Sequence, residues 1–327
     1  MVGQARGACP FSMTGHGKRS GQLLLALLAV AGGAGVVLAD TACRDVPGGG
    51  FCLSSPDWVW LGELTANQVY LSETGELSFS PVGPVWLELR WRRWGRASWR
   101  FGLLWFRAIG ASPNLRWQAV EWRTQGGTFS PLPPRNRWQI LGALARGEEG
   151  MFPLEFRYLP TLADLPGKYE LRLQFRLDLY LDWRPYRVWT QSALTFQVYQ
   201  WCILTIPASH MDIALGTIGP ELYEPETNTW TPLTSQEVSL YAATNSPQGM
   251  VITAVGSDLG PQPADLSRLL LWGGALEGVP LDAPRQVLVT DAPGLYRLED
   301  LRYQYLPSWQ DRGGTYLVRI TYTLLAP

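Results

Sequence analysis

The amino-acid sequence predicts an all-β protein made of two tandem immunoglobulin-like β-sandwich domains that follow an N-terminal signal segment. Three observations predict it: short runs of alternating apolar and polar residues, turn-forming residues spread along the chain, and one internal repeat. The 327 residues include 34 Gly and 25 Pro, and 46% are apolar against 17% charged. This composition favours a folded core with many turns, and hence many short strands.

The clearest strand signal lies at residues 168–177, where apolar and polar side chains alternate over ten positions. A period of two is typical of a strand with one buried face. A turn near residues 182–185 and a returning strand at about 187–199 follow it. Helical periodicity is confined to a short turn within 264–272. Similar patterns predict strands at 85–93, 98–107, 116–122, 236–242, 250–255, 285–289 and 296–303.

An internal repeat relates residues 158–177 to residues 305–324 at an offset of 147. Eight of the twenty positions are identical, and they include Tyr158/Tyr305, Asp164/Asp311, Gly167/Gly314 and Tyr169/Tyr316. A repeat of this length indicates a duplicated structural unit. We therefore expect a leader at 40–55, a first sandwich at 56–200 and a second at 201–327.

The repeated Asp-x-x-Gly-x-Tyr resembles the tyrosine corner of immunoglobulin-like sandwiches, in which the Tyr hydroxyl bonds to nearby backbone. The Gly would supply a turn conformation that other residues avoid. The structural corner residues are Asp164, Gly167 and Tyr169 in the first domain and Asp311, Gly314 and Tyr316 in the second.

The second domain is expected to have an open sheet edge. In the first domain a returning strand follows the repeat strand, whereas only Ala326 and Pro327 follow the repeat strand of the second. The edge could be left open, be covered by residues 201–206 or by the leader, or be filled by a strand from a neighbouring molecule. Self-association through this edge is one expected interaction, with residues 40–57 as a possible donor.

Residues 1–39 have the pattern of a signal peptide. Lys18 and Arg19 precede an uncharged run that ends in Val37-Leu38-Ala39, a site that signal peptidase accepts. An uncleaved membrane anchor is the alternative, and it would be the chain's membrane contact. Export predicts a secreted or cell-surface location and permits a disulfide between Cys43 and Cys52.

The most distinctive segment is rich in Trp and Arg and lies between residues 90 and 101. Such side chains suit an aromatic platform for a cell-wall glycan or a basic groove for an acidic polymer. The alternative is a sandwich with Trp in its core and stacked Arg on its surface. The candidate ligand-binding residues are Arg90, Trp91, Arg93, Trp94 and Trp99. Residues 58–200 carry a net charge of +5 (17 basic, 12 acidic) and residues 201–327 one of −7 (6 basic, 13 acidic). Export and the nearly neutral whole argue against nucleic-acid binding.

Motifs of catalysis are missing from the sequence. After signal removal the lone His is His210, without a Gly-x-Ser-x-Gly elbow or a His-Glu-x-x-His pair. Acidic residues that a glycosidase would need are scattered in polar stretches at 148–149, 221–226 and 299–300. We expect no enzyme activity, no metal site and no cofactor.

The second domain resembles bacterial cell-surface and fimbrial-type β-sandwich modules, such as spore coat protein U-like and WxL-like domains. The segments that carry the resemblance are Trp201–Ile206, Asp212–Pro220, Thr244–Gly249 and Gly314–Leu324. The resemblance implies a cell-surface or filament-forming protein. The leading hypothesis is a non-catalytic structural or adhesion-type protein that assembles by strand exchange. A secreted carbohydrate-binding protein is the alternative, and a glycosidase is the third.

Overall fold

The structure is a computed structural model that describes residues 39–96, 99–146, 149–181, 184–260, 262–314 and 316–327. The predicted signal peptide, residues 1–39, lies outside these ranges except for Ala39. Within these ranges, no helix has the length and apolar character needed to cross a membrane.

The predicted all-β class is confirmed. The strands of the first half are β1 (Ala39–Val46), β2 (Gly49–Pro56), β3 (Trp58–Leu64), β4 (Val69–Leu71), β5 (Leu77–Phe79), β6 (Val82–Gly95), β7 (Phe101–Ala111), β8 (Val120–Thr124), β9 (Ser130–Pro131), β10 (Gln139–Leu144), β11 (Gly150–Tyr158), β12 (Gly167–Leu181) and β13 (Arg184–Val198).

The strands of the second half are β14 (Cys202–Thr205), β15 (Tyr223–Glu224), β16 (Thr229–Trp230), β17 (Leu233–Thr234), β18 (Val238–Thr244), β19 (Val251–Asp258), β20 (Leu269–Gly273), β21 (Leu276–Pro280), β22 (Arg285–Val289), β23 (Gly294–Tyr305) and β24 (Val318–Leu325). Helical structure in the described residues is limited to single 3-10 turns at Ala66–Gln68, Trp117–Ala119, Ala208–His210, Pro220–Leu222 and Leu266–Arg268.

Two sheets enclose the core of the first half. One has the order β1-β2-β6-β11-β8-β9 and the other the order β10-β7-β12-β13-β3. Side chains from both sheets share one hydrophobic cluster, in which Phe106 of β7 makes an edge-to-face contact with Trp122 of β8. The predicted strand at 168–177 lies within β12, and its apolar face is fully inside, with Phe175 and Leu177 at 0% exposure.

The second half repeats this arrangement with a smaller core. One sheet has the order β14-β18-β23-β20-β21, and a three-stranded sheet has the order β22-β19-β24. The hydroxyls of Tyr303 on β23 and Tyr322 on β24 are 2.7 Å apart, so the two sheets are linked through the core. Residues 264–272, expected to hold a short helical turn, form the turn Leu266–Arg268 and then β20.

Residues 40–55 differ from the expected leader, because they form the hairpin β1–β2 at the edge of a sheet of the first half. β2 pairs with β6, and Asp40 also reaches the other sheet, where its carboxylate accepts hydrogen bonds from Thr190 and from the backbone N–H of Gln191. The hydroxyl of Ser55 lies 2.8 Å from that of Thr190. The hairpin therefore closes one side of its own sandwich, which is incompatible with its donation to another module.

The two halves meet at the end of β12 and β13 where the chain passes from one to the other. The side-chain amide of Asn245 donates hydrogen bonds to the carbonyls of Asp164 and Tyr199, and its oxygen accepts the backbone N–H of Trp201. The Trp201 ring packs edge-on against Phe79. The opposite end of β12 and β13 points away from this junction.

Candidate functional site

The repeated corner motif forms the same hydrogen-bond network in both halves. The hydroxyl of Tyr169 donates to the carbonyl of Leu165 at 2.7 Å, and the hydroxyl of Tyr316 donates to the carbonyl of Arg312 at 2.7 Å. Gly167 and Gly314 precede these tyrosines with φ of 155° and 151°, which favours glycine.

Asp164 and Asp311 are the acceptors at the centre of the two corners. Asp164 Oδ1 accepts the hydroxyl of Tyr158 at 2.5 Å, and Oδ2 accepts the backbone N–H of Thr161 at 2.7 Å. Asp311 accepts Tyr305 at 3.0 Å and the N–H of Ser308 at 2.8 Å. Burial, followed by the hydrogen bond to the carboxylate, raises the pKa of Tyr158 and Tyr305 above the ordinary phenol value.

An arginine from outside the repeat completes each corner. Arg116 binds Asp164 with Nε 3.2 Å from Oδ1, and Arg268 binds Asp311 with Nη2 2.7 Å from Oδ1. Neither arginine is apparent from the repeat, because each lies about 45 residues before its carboxylate, outside the repeated segment. In both corners the carboxylate is held by a tyrosine, a backbone N–H and an arginine of the same chain.

The two halves differ at the strand that carries the repeat. β12 pairs with β13 on one side along its whole length and with β7 on the other side from Leu171 to Tyr180. β24 pairs with β19 on one side, and no described strand pairs with its other side. The sheet β22-β19-β24 thus corresponds to β10-β7-β12 without counterparts of β13 and β3.

The apolar face of β24 is consequently less covered than that of β12. At an offset of 147, Leu173 and Phe175 correspond to Ile320 and Tyr322. Both β12 residues are 0% exposed, whereas Ile320, Tyr322 and the neighbouring Leu324 are only partly buried. Their pattern of alternate half-buried and exposed residues is that of an edge strand whose core side lacks a cover.

A cavity of about 1060 Å³ lies beside the free edge of β24. Its floor is formed by core side chains that include Leu240, Leu269 and Tyr303, and one wall by β24 itself. The segment 206–218 forms another wall, held by a hydrogen bond from the backbone N–H of Ser239 to His210 Nδ1. The described residues therefore contain an apolar groove flanked by a strand with one unpaired edge, the geometry into which an extended chain can add.

The five candidate residues of the predicted Trp/Arg ligand site are divided between the core and the surface. Strand alternation along β6 turns Trp91 into the core at 5% exposure, and Trp99 is 2% exposed with its indole N–H bound to the carbonyl of Ala145. The other three residues are at the surface. The Trp94 ring lies against Gly50, Arg90 forms an ion pair with Glu88, and Arg93 forms one with Glu149.

A different group of Trp and Arg side chains lies on the outer face of the β10-β7-β12-β13-β3 sheet. We call it the aromatic–arginine face and define it by Trp105, Arg107, Trp138, Arg176, Arg187 and Trp189. In the sheet register Arg176 of β12 lies between Trp105 of β7 and Trp189 of β13. Its guanidinium carbon is 4.8 Å, 4.4 Å and 5.6 Å from the ring centres of Trp105, Trp138 and Trp189.

A buried carboxylate organises this face. Asp178 is 2% exposed, and its Oδ1 lies 3.0 Å from Arg176 Nε and 3.5 Å from Arg187 Nε. Burial raises the pKa of Asp178, and the two guanidinium charges act in the opposite direction. Arg107 stacks on Trp138 at 4.5 Å and donates two hydrogen bonds to Gln174. This face is not apparent from the sequence, because its residues lie on separate strands and no local pattern specifies how those strands are aligned.

The hairpin β1–β2 carries a disulfide between Cys43 and Cys52, which are directly opposite each other in the register. Cys202 is buried at the start of the second half. Within the described ranges, no three His, Cys, Asp or Glu side chains are grouped so that they could hold a metal ion.

Comparisons with known proteins give a fold likeness only. No protein-family model matches the chain, so the resemblance to spore coat protein U-like or WxL-like modules does not establish membership, and no curated protein matches either. One similar solved structure is the CsuC–CsuE chaperone–tip adhesion subunit pre-assembly complex from archaic chaperone-usher Csu pili of Acinetobacter baumannii. It has a TM-score of 0.43 and 12% identity, over 84% of this chain and 99% of that chain.

Two further structures are similar at lower scores. The CupB6 tip adhesin from Pseudomonas aeruginosa has a TM-score of 0.33 and 12% identity, over 88% of this chain and 96% of that chain. The secreted serine protease VesC from Vibrio cholerae has a TM-score of 0.21 and 14% identity, over 83% of this chain and 50% of that chain. At these scores the likeness assigns the chain neither a family nor a function.

Proposed function

We propose that this chain is a non-catalytic, secreted or cell-surface protein of the adhesion type, whose second half accepts an extended strand from a neighbouring molecule. One observation carries the proposal: β24 has an unpaired edge beside an apolar groove, where β12 of the first half has β13. Export is supported by the signal-like pattern of residues 1–39 and by the Cys43–Cys52 disulfide, which belongs to an oxidising compartment.

The incoming strand should carry apolar side chains at alternate positions. Its backbone would satisfy the free N–H and C=O groups along Val318–Leu325, and its inward side chains would cover the half-buried face of β24. Completing the burial of four half-buried side chains is worth roughly 3–6 kcal/mol at the usual hydrophobic coefficient. This gain and the backbone hydrogen bonds of the added strand together act against the loss of freedom on association, which costs about 4–15 kcal/mol.

The donor lies outside the exported chain's own first hairpin. Residues 40–57 are the donor that the sequence suggests. Their strand β2 pairs with β6, and Asp40 on β1 accepts a hydrogen bond from β13. A second copy of the chain could supply a strand only by opening one of its own sheets. A separate partner that presents an extended, alternating segment is therefore the donor that this structure favours.

The proposal can be tested with a strand from the same protein. A copy of residues 185–198, joined after Pro327 by a two-residue Asn-Gly turn, should add to β24 as β13 adds to β12, since Pro327 corresponds to Tyr180, which pairs with Pro185. We expect the unfolding transition of the second half to rise on the order of 10 °C in calorimetry of the exported chain.

The matched control is the same extension with Asp at the copied positions of Val188, Leu194 and Phe196, the buried face of β13. It has the same length and the same turn but cannot fill the groove. If both extensions leave the transition unchanged, the second half does not accept a strand and the proposal is wrong.

A further inference from the structure

The aromatic–arginine face is a surface that strand acceptance does not use. It lies on the outer side of a sheet of the first half, whereas the groove lies beside β24 in the second. Its residues sit toward the end of β12 and β13 that points away from the junction of the two halves, since Arg187 is near the start of β13 and Asn245 binds Tyr199 beyond its end.

The face is held rigidly before any ligand arrives. Arg176, 13% exposed by its side chain, is packed among three indole rings and paired with Asp178. Trp138 and Trp189 contact each other edge-to-face with ring centres 5.4 Å apart. A surface whose side chains are already fixed loses little conformational entropy when it binds.

Part of the face remains open to solvent. Trp189 is 40% exposed and the Arg187 side chain is 50% exposed. Beside the face on the same sheet, Phe101 stacks on Tyr180 and is 37% exposed. The face and this neighbouring ring pair together extend about 20 Å along β7. It is thus long enough for an extended chain rather than a single small molecule.

The charges of the face favour an anionic ligand. The face contains three positively charged guanidinium groups, those of Arg107, Arg176 and Arg187. One negatively charged carboxylate, that of Asp178, packs among them. Guanidinium groups bind carboxylates through paired hydrogen bonds, and they keep their charge at any physiological pH. A purely neutral ligand would leave this excess positive charge unmatched.

The exposed rings favour a ligand with flat patches of C–H groups. The face of an aromatic ring carries negative charge density and attracts weakly positive hydrogens. Sugar rings present such C–H patches, and sugar acids add carboxylates along the same chain. The combination of rings and guanidinium groups thus matches one ligand class better than any other.

We propose that the aromatic–arginine face binds an acidic polysaccharide, with sugar rings on Trp189 and carboxylates on Arg187 and Arg107. This gives the adhesive role proposed above its ligand class and in that respect rests on it, although the binding itself needs no donated strand. Single-stranded nucleic acid and anionic lipid also meet guanidinium groups, and they serve as competing probes below.

The test uses the exported chain and four probes: polygalacturonate, neutral dextran, single-stranded DNA and anionic phospholipid vesicles. We expect measurable binding to polygalacturonate that weakens with added salt, and at most weak binding to the other three. Trp189→Ala and Arg187→Gln should each weaken polygalacturonate binding about tenfold, a change of about 1.4 kcal/mol.

Trp86→Ala and Arg302→Gln are the matched controls, because they remove a similarly exposed Trp from the other sheet and an exposed Arg from the second half. Both should bind like the unaltered chain, and thermal unfolding should show all four variants folded. Absence of polygalacturonate binding, equal binding to dextran, DNA or vesicles, or equal loss in the controls would overturn the inference. The two proposals can fail separately. If the added strand stabilises the chain but polygalacturonate does not bind, the strand-acceptor proposal stands and the glycan inference is wrong. If polygalacturonate binds but the added strand does not stabilise the chain, only the strand-acceptor proposal is overturned.

Discussion

The hydroxyl oxygens of Tyr303 and Tyr322 lie 2.7 Å apart and join the two sheets of the second half through their hydrogen bond. Tyr303 belongs to β23, deep in the sheet, and Tyr322 to β24, the strand with the free edge. In the first half, the position of Tyr322 is taken by Phe175, which is covered on both sides. The hydrogen bond thus anchors a strand that has a neighbour on one side only.

Replacement of Tyr322 by Phe removes this anchor with little change in shape. We expect the free energy of unfolding to fall by about 1–2 kcal/mol, because the Tyr303 hydroxyl is left buried without its partner. Urea unfolding followed by fluorescence measures the loss. Tyr70→Phe, at a 55% exposed residue, should change stability by less than about 0.5 kcal/mol. Equal effects of the two variants would contradict the role of the hydrogen bond.

Strong alkali should destabilise the protein through its buried phenols. Burial, followed by the charge and hydrogen bond of the neighbouring phenol or carboxylate, raises the pKa of Tyr303 and Tyr158 above the ordinary value of 10.0. The folded state then holds these protons more tightly than the unfolded chain, so the contribution to stability is complete below about pH 10 and is lost as the pH rises further.

Titration of the phenol absorbance tests whether the buried phenols lose their protons only when the protein unfolds. Tyr158 and Tyr303 should ionise together with unfolding, which is monitored by circular dichroism. A smooth titration of all tyrosines with the fold unchanged would be inconsistent with the hydrogen-bonded cores described above.

The two corner carboxylates should contribute similarly to their own halves. Asp164→Ala removes an acceptor of Arg116, Tyr158 and a backbone N–H, and Asp311→Ala removes the matching set. Each should cost about 2–4 kcal/mol, because buried donors and a guanidinium lose their partner. Calorimetry should show the loss in one half per variant, and Asp282→Ala, at an exposed ion pair, should cost little. A loss shared by both halves would argue against two independent corners.

The Cys43–Cys52 disulfide should stabilise the first half. It closes a loop across the β1–β2 hairpin at a sequence separation of 9, for which loop-closure entropy gives about 2–3 kcal/mol. The double variant Cys43→Ala, Cys52→Ala should lose this amount in denaturant unfolding, and a reducing agent should have no further effect on it. An unchanged midpoint would show that the hairpin is held by its contacts with β6 and β13 alone.

The all-β class was predictable because alternation along 168–177 and the repeat at 305–324 are local patterns. Among the described strands, β24 pairs with β19 alone. The β1–β2 hairpin was missed because its Gly-rich turn and Cys pair looked like a leader. Its role depends on hydrogen bonds to Thr190 and Gln191, some 150 residues away.

The sequence does not predict which Trp and Arg side chains of the first half share a surface. Twelve of the 16 Trp lie between residues 58 and 189, so Trp is concentrated in the first half of the protein. Which of them are in the core depends on strand alternation and register. One step along a strand moves a side chain from one face to the other, so Trp91 is buried while Trp94 is exposed.

Hydrogen exchange along β24 tests the free edge most directly. Both sides of β12 are paired from Leu171 to Tyr180, so the amides there should be protected. Alternate amides of Val318–Leu325 point to the unpaired side and should exchange on the order of 100-fold faster. Addition of the copied 185–198 strand after Pro327 should protect those alternate amides. Protection of every amide in β24 of the unextended chain, equal to that in β12, would contradict an open edge and with it the proposed strand acceptance.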